Sequence, residues 1–197
     1  RELIAMYQRN EVDFSRVKTY NLDEYYNLPP DHTQSYYYFM YQNLFNHINI
    51  PRAQIHLPKG MATDVQKECQ EYEKAITQSG GIDLQVLGIG ENGHIGFNEP
   101  AERLEVETHL VDLSEDTIKV NSRFFPSLAE VPRQAVTMGL GTILKARRIL
   151  LLANGPKKAP AIKETVSGLI TTHCPASFLQ AHPDVILLLD QEAASLL

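Results

Sequence analysis

The spacing of apolar positions along the chain predicts strands that alternate with helices. Short apolar runs and strict alternation are typical of strands, and apolar residues three or four apart are typical of helices. The predicted strands are residues 17–22, 82–89, 106–113, 135–139, 149–153 and 184–189. The predicted helices are residues 2–7, 35–47 (amphipathic), 62–78, 114–125, 142–147 and one opened by Gly155. This order indicates an α/β fold with a mainly parallel sheet and helices on both faces.

The most informative segment begins at the end of the second predicted strand. Residues 87–100 read Leu-Gly-Ile-Gly-Glu-Asn-Gly-His-Ile-Gly-Phe-Asn-Glu-Pro, so four glycines surround His94, and Glu99 lies five residues further on. Glycine lets the backbone turn tightly and approach a ligand closely, and histidine exchanges protons near neutral pH. We interpret the segment as a proton-transfer site at the carboxyl end of a parallel sheet. The alternative is a turn whose glycines serve geometry alone.

Composition narrows the classes of partner. The 197 residues are 43% hydrophobic and 21% charged, which suits a single folded domain over residues 1–197. The net charge of −6 argues against nucleic acid and anionic membrane as partners, and no apolar run is long enough to span a bilayer. Cys69 and Cys174 show neither a disulfide framework nor zinc-site spacing, so we expect reduced thiols in the cytoplasm.

Residues 87–100 resemble the signature of the glucosamine-6-phosphate deaminase (isomerase) family. Further segments resemble it in the family's order: residues 21–25 (Asn-Leu-Asp-Glu-Tyr), 34–40, 121–125 (Asn-Ser-Arg-Phe-Phe) and 155–158 (Gly-Pro-Lys-Lys). The resemblance implies a Rossmann-like fold and a sugar-phosphate substrate. It also implies a strand and a phosphate-binding loop ahead of residue 1, so we expect the chain to be N-terminally truncated and to lack the first strand.

The resemblance gives four residues a candidate catalytic role. Asp23 matches the family's general base, which moves a proton from C2 to C1 of the open-chain sugar. His94 matches the ring-opening catalyst, and Glu99 a carboxylate that assists it. Asn92 stands where one branch of the family has Asp; an amide can fix a histidine tautomer but brings no charge. On their own, Asp23 and Glu99 could equally be turn or capping residues.

Arg123 and Lys158 match the family's phosphate ligands. Arginine offers phosphate a fork of donors, and lysine offers a point charge. Lys158 is expected in the first turn of a helix, where the N-terminus itself favours an anion. The plain alternatives are a surface salt bridge for Arg123 and a solvated surface position for Lys158.

The implied reaction converts D-glucosamine 6-phosphate and water to D-fructose 6-phosphate and ammonia, in cytoplasmic amino-sugar catabolism. Proton transfers and imine hydrolysis suffice for it, so we expect neither a metal nor a cofactor. Two alternatives stay open: a 6-phosphogluconolactonase-like hydrolase of the same fold, and a catalytically silent sugar-phosphate-binding protein. We also expect a monomer, because hexameric members of the family carry a longer C-terminal extension.

Overall fold

Strands and helices alternate along the chain, and the computed structural model describes all of residues 1–197. The strands are β1 (Thr19–Tyr20), β2 (Asp23–Tyr25), β3 (Ile55–His56), β4 (Leu84–Leu87), β5 (His109–Asp112), β6 (Gln134–Thr137), β7 (Arg148–Ala153) and β8 (Val185–Leu189). The α-helices are α1 (Glu2–Gln8), α2 (Tyr36–Asn43), α3 (Val65–Gln78), α4 (Glu115–Asn121), α5 (Leu140–Leu144) and α6 (Ala159–Thr165). None of these helices has the length and apolar composition needed to cross a bilayer.

Parallel pairing dominates the sheets, which confirms the predicted fold class. β7 lies between β4 and β8 and pairs in parallel with both, and β1 pairs in parallel with β3. A third sheet has the order β2-β6-β5. In β7, Ile149 and Leu151 point into the core and are fully buried, while Leu152 on the opposite face is 41% exposed. The short apolar run that predicted β7 therefore reflects real burial on one face.

Two predicted elements were wrong in detail. Of the strand predicted over residues 17–22 only Thr19–Tyr20 (β1) forms, paired with β3, and a separate strand, β2, begins at Asp23. The chain just after β2 bonds to β6, through Tyr26 N–H and the Gln134 carbonyl (2.9 Å). Asp23 therefore opens a strand instead of following one. The amphipathic helix predicted over residues 35–47 is α2, which ends at Asn43 and buries none of its residues.

The residues cluster into two compact units. Unit 1 comprises residues 1–68 and 112–136, and unit 2 comprises residues 69–111 and 137–197. Each unit has its own buried apolar side chains, among them Tyr25 and Phe45 in unit 1 and Leu87 and Met138 in unit 2. Each is built from two separated stretches of chain, so sequence position alone does not mark their boundaries. That the whole chain is a single domain stays a prediction.

Candidate active site

The glycine-rich loop after β4 folds back on itself in unit 2. Gly90 N–H donates to the His94 carbonyl (2.8 Å), and Gly93 N–H donates to the Gly90 carbonyl (3.1 Å). Gly93 has a φ of +83°, and a Cβ there would lie 2.6 Å from the Sγ of Cys174. A Cβ on Gly90 would overlap the His94 ring. Both positions therefore require glycine, and the spacing noted in the sequence has a steric cause.

Buried residues beside His94 anchor the loop to the chain that follows β6. Ile95 is fully buried, and Asn98 is only 3% exposed. The Asn98 side-chain amide donates to the carbonyls of Ile95 and Met138, both at 2.9 Å. His94 and Glu99 flank this anchored stretch, which fixes the backbone between them. Asn98 was not predicted as a site residue, although its place next to Glu99 within the motif was a usable signal.

Asn92, His94 and Glu99 meet in one hydrogen-bonded group. The Nδ1 of His94 lies 2.7 Å from Asn92 Oδ1 and 3.3 Å from Glu99 Oε2. Asn92 Nδ2 donates to Glu99 Oε2 (2.7 Å), and Asn92 Oδ1 also accepts the His94 backbone N–H (3.2 Å). Both neighbours of Nδ1 are acceptors, which assigns the ring proton to Nδ1 and leaves the lone pair on Nε2.

The two neighbours of His94 make different contributions. Glu99 orients the Asn92 amide, and Asn92 in turn fixes the imidazole. The Glu99 carboxylate can stabilise an imidazolium, since the side chains of His94 and Glu99 are only 25% and 14% exposed and their attraction is weakly screened by water. The charge that Asn92 lacks is therefore available from Glu99. The arrangement allows Nε2 to accept a proton and give it back.

Asp23 at the start of β2 is the one candidate residue whose pKa is moved close to neutrality. Burial is the largest cause and raises the pKa of the Asp23 carboxyl to about 7, and the negative charge of Glu24 adds to the rise. Neither a hydrogen bond nor a cation offsets these two effects. A carboxyl that is part-ionised near pH 7 is suited to take up a proton and to return it.

Glu24 fixes the backbone next to Asp23. Its carboxylate accepts the backbone N–H groups of Tyr25 (2.9 Å), Tyr36 (2.9 Å) and Tyr37 (2.8 Å). Tyr36 and Tyr37 open α2, so this buried carboxylate satisfies donors that a helix N-terminus leaves free. Burial raises the pKa of Glu24, and the three hydrogen bonds oppose that rise. Glu24 was not predicted from the sequence, because its bonds to Tyr36 and Tyr37 join residues at least twelve apart and leave no local pattern.

The two candidate phosphate ligands belong to different units. Arg123 is exposed in unit 1, on a 3₁₀ turn after α4, and its guanidinium lies 4.6 Å from the centroid of the Phe124 ring. Lys158 is half-buried in unit 2, at the end of a 3₁₀ turn that precedes α6. The prediction that it lies in the first turn of an α-helix was therefore wrong. The pKa of Lys158 is lowered, mainly by burial.

Within unit 2 the structure brings three of the predicted residues together. Asn92, His94 and Glu99 are in direct contact, and Lys158, in the same unit, forms no hydrogen bond with them. No group of three or more His, Cys, Asp or Glu side chains has the arrangement needed to hold a metal ion.

The fold and the loop together define a class of α/β proteins that have a mainly parallel sheet and a histidine on the glycine-rich loop after β4. A family model described as glucosamine-6-phosphate isomerases/6-phosphogluconolactonase matches residues 1–187. The chain belongs to this family, which confirms the resemblance drawn from the motifs.

Curated relatives named glucosamine-6-phosphate deaminase match the chain over its whole length. The relative from Halothermothrix orenii is 65% identical over 196 residues, which cover 100% of this chain and 81% of that protein. The relative from Thermoanaerobacter pseudethanolicus is 59% identical over 197 residues, covering 100% of this chain and 78% of that protein.

Solved structures of both named activities share the fold. A monomeric glucosamine-6-phosphate deaminase has a TM-score of 0.96 at 45% identity, covering 100% of this chain and 82% of its own. A 6-phosphogluconolactonase from Thermotoga maritima has a TM-score of 0.71 at 22% identity, covering 94% and 79%. At that identity the second match shows the common fold alone.

Proposed function

We propose that the protein catalyses the isomerisation and hydrolytic deamination of D-glucosamine 6-phosphate, giving D-fructose 6-phosphate and ammonia. The observation that carries the proposal is the carboxyl of Asp23, whose pKa is raised to about 7 with no cation beside it. Moving a proton between two carbon atoms requires a base that also gives the proton back, and this environment supports it. The name shared by relatives of 59–65% identity supports the same substrate.

His94 opens the sugar ring in the proposed mechanism. Its Nε2 takes the proton of the anomeric hydroxyl, and the same imidazolium then protonates the ring oxygen as the C1–O5 bond breaks. Asn92 holds the ring in the required tautomer, and Glu99 stabilises the imidazolium between the two transfers. No proton is gained or lost overall, because His94 gives up the proton it took and ends the step neutral.

Asp23 then carries out the isomerisation. Its carboxylate removes the proton from C2, the substrate's own C2 ammonium group gives a proton to the C1 carbonyl oxygen, and a neutral enolamine forms. Asp23 returns its proton to C1, which leaves an iminium at C2. Water adds to C2, ammonia departs, and the ketone of fructose 6-phosphate remains. Arg123 and Lys158 bind the phosphate in this scheme, and neither a metal nor a cofactor takes part.

The 6-phosphogluconolactonase-like alternative accounts for fewer of the features. Hydrolysis of a lactone involves no proton transfer between carbon atoms, so it does not call for the raised pKa of Asp23. A silent binding protein has no need of the ordered Asn92–His94–Glu99 group. We further propose a cytoplasmic monomer that binds neither nucleic acid nor membrane, in keeping with the monomeric solved relative and the net charge of −6.

The test is product formation by the full-length protein. Ammonia and fructose 6-phosphate are measured from D-glucosamine 6-phosphate, and hydrolysis of 6-phosphogluconolactone is measured with the same preparation. We expect equal amounts of ammonia and fructose 6-phosphate, and their loss in Asp23→Asn. Lactone hydrolysis without ammonia release would instead assign the alternative.

A further inference from the structure

A hydrogen bond joins the strand that carries Asp23 to the turn that carries Arg123. Asn121 Nδ2 donates to the hydroxyl of Tyr25 at 2.9 Å, across 96 positions of sequence. Tyr25 ends β2, two residues after Asp23, and Asn121 ends α4, two residues before Arg123. All four residues belong to unit 1. The bond therefore links the candidate base and a candidate phosphate ligand within one compact body.

Tyr25 is the firmly held partner of this bond. Its side chain is buried, with 4% of the residue exposed. Its ring stacks on Tyr36 (5.3 Å between centroids, 13° between planes) and meets Phe125 edge-on (6.0 Å, 83°). A hydrogen bond with the Tyr36 side chain adds a further restraint. The Tyr25 hydroxyl is thus a fixed point to which another segment can attach.

The Arg123 turn has few attachments of its own. α4 buries only Ile118, and the 3₁₀ turn Ser122–Phe124 buries no residue. Phe125, just after the turn, is buried against Tyr25. Tyr25 therefore takes part in two of the contacts that hold this segment, the bond from Asn121 before Arg123 and the ring contact with Phe125 after it.

We propose that Tyr25 and Asn121 are positioning residues that hold the Arg123 turn in register with the strand of Asp23. The inference rests on the proposed role of Arg123 as a phosphate ligand. A sugar phosphate must present its phosphate to one group while C2 stays within reach of another, so the relative placement of the two groups governs productive binding. The Tyr25–Asn121 bond supplies that placement without touching the substrate.

The test is a double-mutant cycle of Tyr25→Phe and Arg123→Ala in the full-length protein, read out as the Kd for fructose 6-phosphate by calorimetry. Tyr25→Phe alone is expected to weaken binding roughly 3- to 30-fold, within the range of couplings inside one hydrogen-bonded network. KM should rise by a similar factor, with a much smaller change in kcat. In the Arg123→Ala background, Tyr25→Phe should have almost no further effect.

Tyr26→Phe is the matched control, since it removes a neighbouring hydroxyl that donates to the Ala62 carbonyl (3.2 Å) and has no bond to the Arg123 segment. It should leave the Kd unchanged. Asn121→Ala removes the other partner and should reproduce the Tyr25→Phe effect, which keeps the test open if Tyr25→Phe folds poorly.

The outcomes separate this inference from the proposed function. An unchanged Kd in Arg123→Ala removes Arg123 as a phosphate ligand, and the inference with it. If Arg123→Ala weakens binding but Tyr25→Phe does not, or weakens it equally in both backgrounds, only the positioning role is overturned. The positioning role is supported if Tyr25→Phe raises the Kd only in the protein that retains Arg123.

Discussion

The two proton-transfer groups are prepared for their tasks in opposite ways. His94 in unit 2 is surrounded by partners, with Asn92 and Glu99 both within 3.3 Å of its Nδ1. Asp23 in unit 1 has no such partners. Burial and the charge of Glu24 raise its pKa to about 7, and no hydrogen bond or cation offsets the rise. The imidazole of His94 is therefore prepared by the hydrogen bonds that orient it, whereas the carboxyl of Asp23 is prepared by its removal from water.

The largest expected effect is that of Asp23→Asn in the full-length protein. The amide keeps the shape of the side chain but cannot take the proton from C2, so kcat should fall on the order of 10²–10⁴-fold. Binding of fructose 6-phosphate should be preserved. Turnover is followed as ammonia release, and proton exchange as entry of solvent hydrogen at C1 of the product.

Asp31→Asn is the control for this variant, because Asp31 is an exposed aspartate of the same unit. It should retain full activity. Near-normal turnover in Asp23→Asn, with solvent hydrogen still entering C1, would remove Asp23 from the role of base.

His94→Gln should have the next largest effect. Glutamine can fill the site but cannot shuttle a proton between the anomeric hydroxyl and the ring oxygen, so kcat/KM should fall about 10²-fold on the natural substrate. His173→Gln is the matched control, since His173 is an exposed histidine of the same unit. If both variants lose activity equally, the loss reflects the unit's stability and not the shuttle.

The pH dependence of kcat/KM tests the raised pKa of Asp23. The base must be ionised, so kcat/KM should decline below about pH 7, by about tenfold for each further unit. An exposed aspartate would give no decline until far lower pH. A profile that is flat from pH 5 to 8 would contradict the environment described for Asp23.

The glycine loop was predictable from sequence and the setting of Asp23 was not. Asn92, His94 and Glu99 lie within eight residues, so their spacing alone signalled a site. The raised pKa of Asp23 depends on burial, which only the folded chain shows. The start of α2 is capped by Glu24, which lies twelve residues before the helix, so no local pattern indicates it. Apolar periodicity placed the ends of β7 and β8 to within one residue. It placed the end of α2 four residues too late, because no residue of that helix is fully buried and side-chain caps fix its start.

Asn92→Leu tests whether Asn92 orients the imidazole of His94. Leucine removes the acceptor that holds Nδ1–H, and we expect a roughly tenfold loss of kcat/KM, equivalent to one hydrogen bond. Asn92→Asp keeps an acceptor at the same place and should retain more activity than Asn92→Leu, although it puts a second carboxylate beside Glu99. Equal losses in the two variants would mean that the acceptor at position 92 does not orient His94.

The smallest expected effect is a gain in stability in Asp23→Asn, the variant that is expected to lose its activity. Because the folded-state pKa of Asp23 lies above its ordinary value of 3.8, ionising it costs the folded state free energy that grows from about pH 4 to pH 7. At about 1.4 kcal/mol per pKa unit, the cost is at most about 4 kcal/mol. Asp23→Asn should therefore melt higher than the wild type at pH 8 and equally at pH 4, as measured by thermal unfolding. A lower Tm at pH 8 would contradict this cost.

The most direct test of the separate roles of Asp23 and His94 compares Asp23→Asn and His94→Gln on an open-chain substrate. A 4,5-dideoxy analogue of D-glucosamine 6-phosphate can form neither the pyranose nor the furanose ring, so it bypasses ring opening. Ammonia release from this analogue is measured for both variants and the wild type. We predict that His94→Gln regains most of its activity on the analogue while Asp23→Asn stays inactive. Rescue of Asp23→Asn, or no rescue of His94→Gln, would contradict the separate roles assigned to the two groups.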